Sequence, residues 1–181
     1  VRGKNSVAVG AGSEVDVSKT NSDFEGANAT ALGSGASVKA KQGTAVGYGS
    51  KVTGVQGKAL GEPSSAEATG ATTFGEGSHA KATKSTAIGM EADVETGADN
   101  SIALGAGSTV WKSDLKSTDK NGVVSLGSGS STARRIIHVA NGVNDTDAAT
   151  VGQLNTAITS ATEAAVKTAV KTATQDVDDI T

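Results

Sequence analysis

The chain has 181 residues, with 24 Gly, one Pro, no Cys and only four aromatic side chains, namely one Trp, one Tyr and two Phe. This composition supplies too few large side chains for a thick core, and the lack of cysteine excludes disulfides, thiolate catalysis and cysteine metal sites. The net charge of -3 argues against a surface that binds nucleic acid, and no apolar run approaches the length of a membrane span.

A triplet of a small residue, a large residue and glycine recurs eight times. The glycines are spaced by 23, 14, 14, 14, 14, 16 and 22 residues, and they are Gly10, Gly33, Gly47, Gly61, Gly75, Gly89, Gly105 and Gly127. A fixed period predicts a stack of similar coils. Because 14 residues accommodate two strands of about five residues and two tight turns, we expect a flattened, two-sided β-roll of about eight coils.

The small and the large member of each triplet should lie on opposite faces of a strand, since neighbouring side chains alternate. We expect the small members to fill the roll with a third column: Val15, Val38, Val52, Ala66, Ala80, Val94, Val110 and Thr132. The large members would then face sister chains, because a soluble monomer rarely exposes so continuous an apolar stripe. This predicted interface comprises Val9, Leu32, Val46, Leu60, Phe74, Ile88, Leu104 and Leu126. The opposite allocation, with the large column inside, is the alternative.

Serine follows the glycine by three residues in six coils and should cap the turn by bonding to the backbone: Ser13, Ser50, Ser64, Ser78, Ser108 and Ser130. The three longer spacings predict loops at 18–26, which contains Phe24, at 95–100 and at 111–120. Trp111 would either cover the last coil or expose an aromatic side chain for binding.

The repeat pattern of the sequence ends after Gly129. Residues 134–139 predict a short strand, 140–144 a turn, and Asp145 and Asp147 the N-caps of a helix that starts at residue 148. We expect Arg134 and Arg135, beside Ile136, to pair with carboxylates such as Asp145 or Asp147 of the same or a neighbouring chain. The predicted domains are therefore a head at 1–132, a neck at 133–147 and a stalk at 148–181.

The stalk carries a weak apolar seam that repeats about every 3.6 residues and predicts a nearly straight helical bundle. Its largest members, which we expect at a chain–chain contact, are Val151, Leu154, Ile158 and Val166. The smaller seam residues bury little area, so association should also depend on the head.

No catalytic, cofactor or metal site is predicted. His79 and His138 lie far apart without an acidic or nucleophilic partner motif. The repeated Gly-x-Gly elements lack the following helix of a nucleotide-binding loop. An enzyme built on a left-handed β-helix would need triangular coils of a different length from the observed 14 residues.

Two copies of the repeat, Asn5 to Ser13 and Asn100 to Ser108, resemble the head repeats of YadA-type trimeric autotransporter adhesins. The segment from Arg134 to Gly142, followed by Thr146 to Leu154, is similar to the neck of that family. Pro63, Thr73, Glu91 and Ser125 depart from the repeat pattern, and His138 departs from the neck pattern.

The resemblance implies a left-handed parallel β-roll that trimerises, and a neck that leads into a three-stranded coiled coil. It implies type V secretion, display on the surface of a Gram-negative bacterium, and an outer-membrane anchor outside this chain. We expect the chain to be a fragment because it begins within a repeat and stops within a helix. The implied function is a virulence-associated adhesin that binds host extracellular matrix, cell-surface receptors and sister bacteria; the alternative is a passive spacer. The candidate adhesive residues are Asn5, Ser6, Val7, Ala8, Val9, Gly10, Ser13, Asn100, Ser101, Ile102, Gly105 and Ser108.

Overall fold

The computed structural model describes residues 1–17, 27–129 and 132–178. The chain divides into two compact units, Val1–Arg134 and Arg135–Thr181, and each is described by itself. The predicted loop at 18–26, with Phe24, lies outside the described residues.

The first unit is a parallel β-solenoid in which the chain passes alternately through two sheets. The first sheet has eight strands in the order β1-β3-β5-β7-β9-β11-β13-β15, and the second has seven in the order β14-β12-β10-β8-β6-β4-β2. The first sheet contains β1 Val7–Val9, β3 Thr30–Leu32, β5 Thr44–Val46, β7 Lys58–Leu60, β9 Thr72–Phe74, β11 Thr86–Ile88, β13 Ile102–Leu104 and β15 Val124–Ser125. The second sheet contains β2 Glu14–Val15, β4 Ser37–Val38, β6 Lys51–Val52, β8 Ser65–Ala66, β10 His79–Ala80, β12 Asp93–Val94 and β14 Thr109–Val110.

Equivalent residues of successive coils pair directly, so that Ala45 lies between Ala31 and Ala59 in the first sheet. The interior is therefore two stacked columns of small side chains. The buried column of the first sheet is Ala31, Ala45, Ala59, Thr73, Ala87 and Ala103, and that of the second is Val15, Val38, Val52, Ala66, Ala80, Val94 and Val110, all at 0% exposure. The prediction that the small residues fill the roll is confirmed for these positions, whereas Ala8 and Ser125 are only partly buried and Thr132 is exposed.

Six of the eight corners after first-sheet strands carry two glycines. The two have different roles, as the turn Gly47-Tyr48-Gly49 shows. Gly47 has φ of 125°, and a Cβ there would lie 2.6 Å from the carbonyl oxygen of Gly61 in the next coil. Gly49 has φ of 64°, but its nearest neighbour would be Pro63 Cβ at 3.7 Å. Gly47 thus allows the coils to approach, and Gly49 only supplies the left-handed backbone.

The described corner serines cap their turns as predicted. The hydroxyl of Ser50 donates to Gly47 O at 3.0 Å, that of Ser64 to Gly61 O at 3.0 Å, and that of Ser78 to Gly75 O at 2.7 Å. These three serines are at most 1% exposed. Burying a hydroxyl without a hydrogen-bond partner would be costly in free energy. The hydrogen bond to the corner carbonyl is therefore what allows these serines to be buried.

The insertion after β14 closes the last full coil differently from the expectation. Trp111 is 48% exposed, and a short 3-10 helix, Lys112–Asp114, follows it. Leu115 and Val123 are the residues that pack against the core. Of the two alternatives for Trp111, the structure favours the exposed one, because Val110 at the end of β14 points inward and the residue that follows it therefore points outward.

The second unit contains one helix, α1, at Val151–Asp178. Residues 134–139, predicted to form a strand, have no regular secondary structure. A strand requires a neighbouring strand for its backbone hydrogen bonds, and the single chain offers none to this segment in the part that the structure describes.

The N-cap of α1 also differs from the prediction, since the helix begins after Thr150 rather than at residue 148. Thr150 Oγ1 accepts the backbone N–H of Gln153 at 3.2 Å, and Gln153 Oε1 accepts the N–H of Thr150 at 3.1 Å. This reciprocal pair is a capping box. Asp145 and Asp147 precede it and belong to the preceding turn.

Candidate adhesive surface and neck

The large members of the repeat form one continuous ridge on the outer face of the first sheet. Phe74 is 60% exposed, Val9 53% and Leu32 46%. Ile88 and Leu104 are also exposed, whereas Val46, Leu60 and Leu126 are partly exposed. At about 4.8 Å between neighbouring strands, the eight positions span roughly 34 Å. We call this surface the aliphatic ridge.

The four seam residues predicted for the stalk are likewise exposed along α1. Val151 is 73% exposed, Leu154 and Val166 are each 56% exposed, and Ile158 is 55% exposed. The structure holds one chain, so the assignment of the ridge and the seam to a chain–chain contact stays a prediction. α1 is not apolar enough to cross a bilayer, and the same holds for every helix in the described ranges.

The residues of the candidate adhesive motif divide into architectural and accessible groups. Ser101 and Ser108 are fully buried. Ser108 Oγ donates to Leu104 O at 2.8 Å, and Ser101 Oγ accepts the N–H of Val123 at 3.1 Å. The motif therefore builds the corner of the coil, where Gly105 has φ of 109°.

The first copy of the motif has the same construction at the start of the roll. Ser13 Oγ donates to Gly10 O at 2.9 Å, and Ser6 Oγ accepts the N–H of Ala29 at 3.2 Å. Asn5 has φ of 56°, as Asn100 has φ of 60° in the later copy; asparagine tolerates this left-handed conformation better than most residues. The side chains left for contact on the sheet face are outward ones, Val7 and Val9 in this copy and Ile102 in the other.

The outer face of the second sheet is polar. Lys81 Nζ lies 2.7 Å from Asp93 Oδ2, with both side chains about one-third exposed. His79 stands between Ser65 and Asp93 in the neighbouring strands, and its Nδ1 is buried without a hydrogen-bond partner in the described structure. Among the described residues, no cluster of three or more His, Asp and Glu side chains could hold a metal ion.

Arg134 caps the end of the first unit. Its Nη1 donates to Leu126 O and to Ser108 Oγ, each at 2.9 Å, and its Nη2 donates to Ala106 O. In earlier coils, equivalent backbone carbonyls accept amide N–H groups of the next coil. The guanidinium replaces those donors where the stack ends. The pairing of Arg134 with Asp145 or Asp147 of the same or a neighbouring chain stays a prediction.

The neck turn is held by a side chain that the sequence did not single out. Gln153 Oε1 accepts the N–H of Gly142 at 2.9 Å, and its Nε2 donates to Gly142 O at 2.9 Å. Thr150 Oγ1 donates to Asn141 Oδ1 at 2.8 Å. The first turn of α1 thus holds the backbone of Gly142 and the side chain of Asn141. The Thr-x-x-Gln capping pattern was the signal available in the sequence.

Asp147 stabilises the same turn from the other side. Its Oδ2 accepts the backbone N–H groups of Val143 and Asn144, each at 2.9 Å. The hydrogen bonds from the Asn144 and Val143 backbones hold the pKa of the Asp147 carboxyl below its ordinary value. For Arg135, Ile136 and Asp145, the structure shows exposed positions in the neck.

Comparison with known proteins agrees with this arrangement. The sequence model of the YadA head domain repeat matches residues 2–16, 25–50, 66–92 and 96–110. The model of the coiled stalk of trimeric autotransporter adhesin matches residues 135–177. The crystal structure of the collagen-binding domain of Yersinia adhesin YadA is similar, with a TM-score of 0.59 and 30% sequence identity, and the match covers 84% of this chain and 82% of that chain. No curated protein sequence matches.

A repeat-built β-roll followed by a stalk helix defines the head and stalk portion of a surface adhesin. The chain belongs to the YadA-type trimeric autotransporter adhesins.

Proposed function

We propose that this chain is the head of a homotrimeric adhesin that attaches a bacterium to host extracellular matrix or to host cells, without enzymatic activity. The observation that carries the proposal is the aliphatic ridge, exposed along the whole first sheet of a single chain. Interior side chains no larger than Val and Thr leave the core of the described roll thin. Burying the ridge between three copies would add the apolar contact that one copy lacks.

Ligand binding by such a head is expected to be multivalent. A coil that recurs along the roll and around a trimer presents many similar shallow contacts, and their simultaneous engagement raises avidity by effective concentration. The similarity to a collagen-binding domain supports collagen-like matrix proteins as the first ligands to test. If the trimer covers the outer face of the first sheet, the polar outer face of the second sheet is the surface available for this contact.

The test is binding of the full chain to immobilised matrix proteins and to cells, compared with a variant in which Leu60→Lys and Phe74→Lys place charges on the ridge. We expect the variant to become monomeric and to lose most of its apparent affinity. A matched control places lysine at two exposed turn positions with Thr69→Lys and Thr83→Lys. Equal binding by a proven monomer would contradict the multivalent account.

The second candidate function is a passive spacer that holds another head away from the cell. The observation that favours it is that Ser101 and Ser108 of the candidate motif are buried in the corner and unavailable to a ligand. Deleting this segment from the parent protein decides between the two functions, because a spacer deletion would leave adhesion to purified ligand intact.

A further inference from the structure

Lys58 carries the one charge in a column of the first sheet that is otherwise neutral. The column is formed by the first residues of its strands, and the uncharged members are Val7, Thr30, Thr44, Thr72, Thr86, Ile102 and Val124. Lys58 is exposed and lies on the same face as the aliphatic ridge. Its Nζ donates only to Gln56 O, at 3.3 Å. Covering this face would bury an ammonium group, which is costly unless an anion accompanies it.

An unpaired carboxylate stands at the opposite edge of the same coil. Glu62 follows the ridge residue Leu60 by two positions, at the corner that ends the strand, and it is exposed. Its side chain has no hydrogen bond or ion pair with any described residue. The residues at this corner in the neighbouring coils are Tyr48 and Glu76.

Cyclic symmetry would bring these two edges together. In a trimer whose first sheets all face one axis, the strand-start edge of each sheet adjoins the strand-end edge of the next, since a three-fold contact is heterologous. Rotation about the three-fold axis without translation keeps equivalent coils of the three copies at the same height along the axis. Neighbouring coils of one copy differ in height by about 4.8 Å. Lys58 of one copy would therefore stand level with Glu62 of the next copy.

We propose that Lys58 binds Glu62 of an adjacent copy of this chain, and that the three resulting ion pairs align the coils of the trimer. The inference rests on the trimer proposed above and adds its lateral contact. The same registration places Thr44 level with Tyr48 and Thr86 level with Met90, and among the eight levels only that of Lys58 and Glu62 joins opposite charges.

The pairing also discriminates against misaligned trimers. A ridge that repeats in every coil offers nearly the same apolar contact after a shift by one coil. Shifts around a closed ring must sum to zero. If one interface is shifted by a coil so that Lys58 lies level with Glu76 of the next copy, another interface must be shifted in the opposite direction. There Lys58 lies level with Tyr48 or with the residue of a still earlier coil, and no carboxylate is present.

The experiment uses charge reversal in the full chain and mixing of variants. Lys58→Glu alone and Glu62→Lys alone should each raise the apparent dissociation constant of the trimer at least about tenfold, because three contacts become repulsive. The double variant should recover most of this loss. Co-refolding the two single variants should give a larger share of mixed trimers than random assortment gives, as counted by native mass spectrometry. Only pairing between chains produces that preference.

Two controls fix the assignment. Lys84→Glu, at a corner outside the column, should leave assembly unchanged, and Glu76→Lys should not co-assemble preferentially with Lys58→Glu. The pairing would be overturned if the wild type is trimeric but the two single variants mix at random, or if Lys58→Glu mixes preferentially with Glu76→Lys. Either result would leave the trimer itself intact. A monomeric wild type would overturn the trimer itself and the pairing with it.

Discussion

Each of the two glycines in one corner can be replaced by alanine to measure why glycine is needed there. The comparison separates the energetic cost of a clash between coils from the cost of a left-handed backbone. Gly47→Ala would place a methyl group 2.6 Å from the carbonyl oxygen of Gly61, at φ of 125°. The strained backbone costs about 1–3 kcal/mol, and the clash with backbone that cannot rotate away costs about 1–3 kcal/mol more. We expect a total destabilisation of roughly 2–6 kcal/mol per chain.

Gly49→Ala is the matched control, because the same methyl group has no neighbour closer than 3.7 Å at φ of 64°. The left-handed conformation alone costs about 1–2 kcal/mol. Urea unfolding followed by circular dichroism at one fixed chain concentration measures both changes. Equal shifts of the two midpoints would refute the claim that the first glycine of the corner is required for coil stacking.

The remaining predictions concern the end of the roll and the neck. Arg134→Met should expose Leu126 O and Ala106 O and destabilise the last coil by about 1–3 kcal/mol, seen as faster amide exchange at 124–126; unchanged exchange there would contradict the capping role. Gln153→Ala should weaken the neck clamp by about 0.5–2 kcal/mol and speed exchange of the Gly142 amide, whereas Asn155→Ala, two residues further along α1, should not. The lowered pKa of Asp147 means that its carboxylate stabilises the turn above the ordinary carboxyl pKa. This contribution should be lost as pH falls through the lowered value, and an NMR titration showing an ordinary pKa would contradict it.

The repeat made the head largely predictable from the sequence. A period of 14 residues together with alternation along each strand placed Ala45 and Phe74 on opposite faces, and the argument from an exposed apolar stripe favoured Ala45 and Val52 as the interior residues. That neighbouring side chains lie on opposite faces follows from the pleat alone and needs no knowledge of distant contacts. The capping role of serines such as Ser50 was predictable for the same reason, since it acts within one turn.

Positions that depend on the end of the stack were not predictable in this way. The sequence does not show that Arg134 replaces the amides of a missing coil, because that requires knowing which carbonyls remain open. Asp147 was a plausible N-cap by residue type, but the helix starts at Thr150, where a reciprocal partner is available three residues later. The strand expected at 134–139 needs a neighbouring strand, which the described residues of one chain do not provide.

Sedimentation equilibrium of the full chain over a dilution series, with circular dichroism at each concentration, tests the central claim most directly. We expect three chains per particle at micromolar concentration, with loss of β-structure as the particle dissociates, because the aliphatic ridge is exposed in the single chain. A single chain that remains folded at every concentration would contradict it.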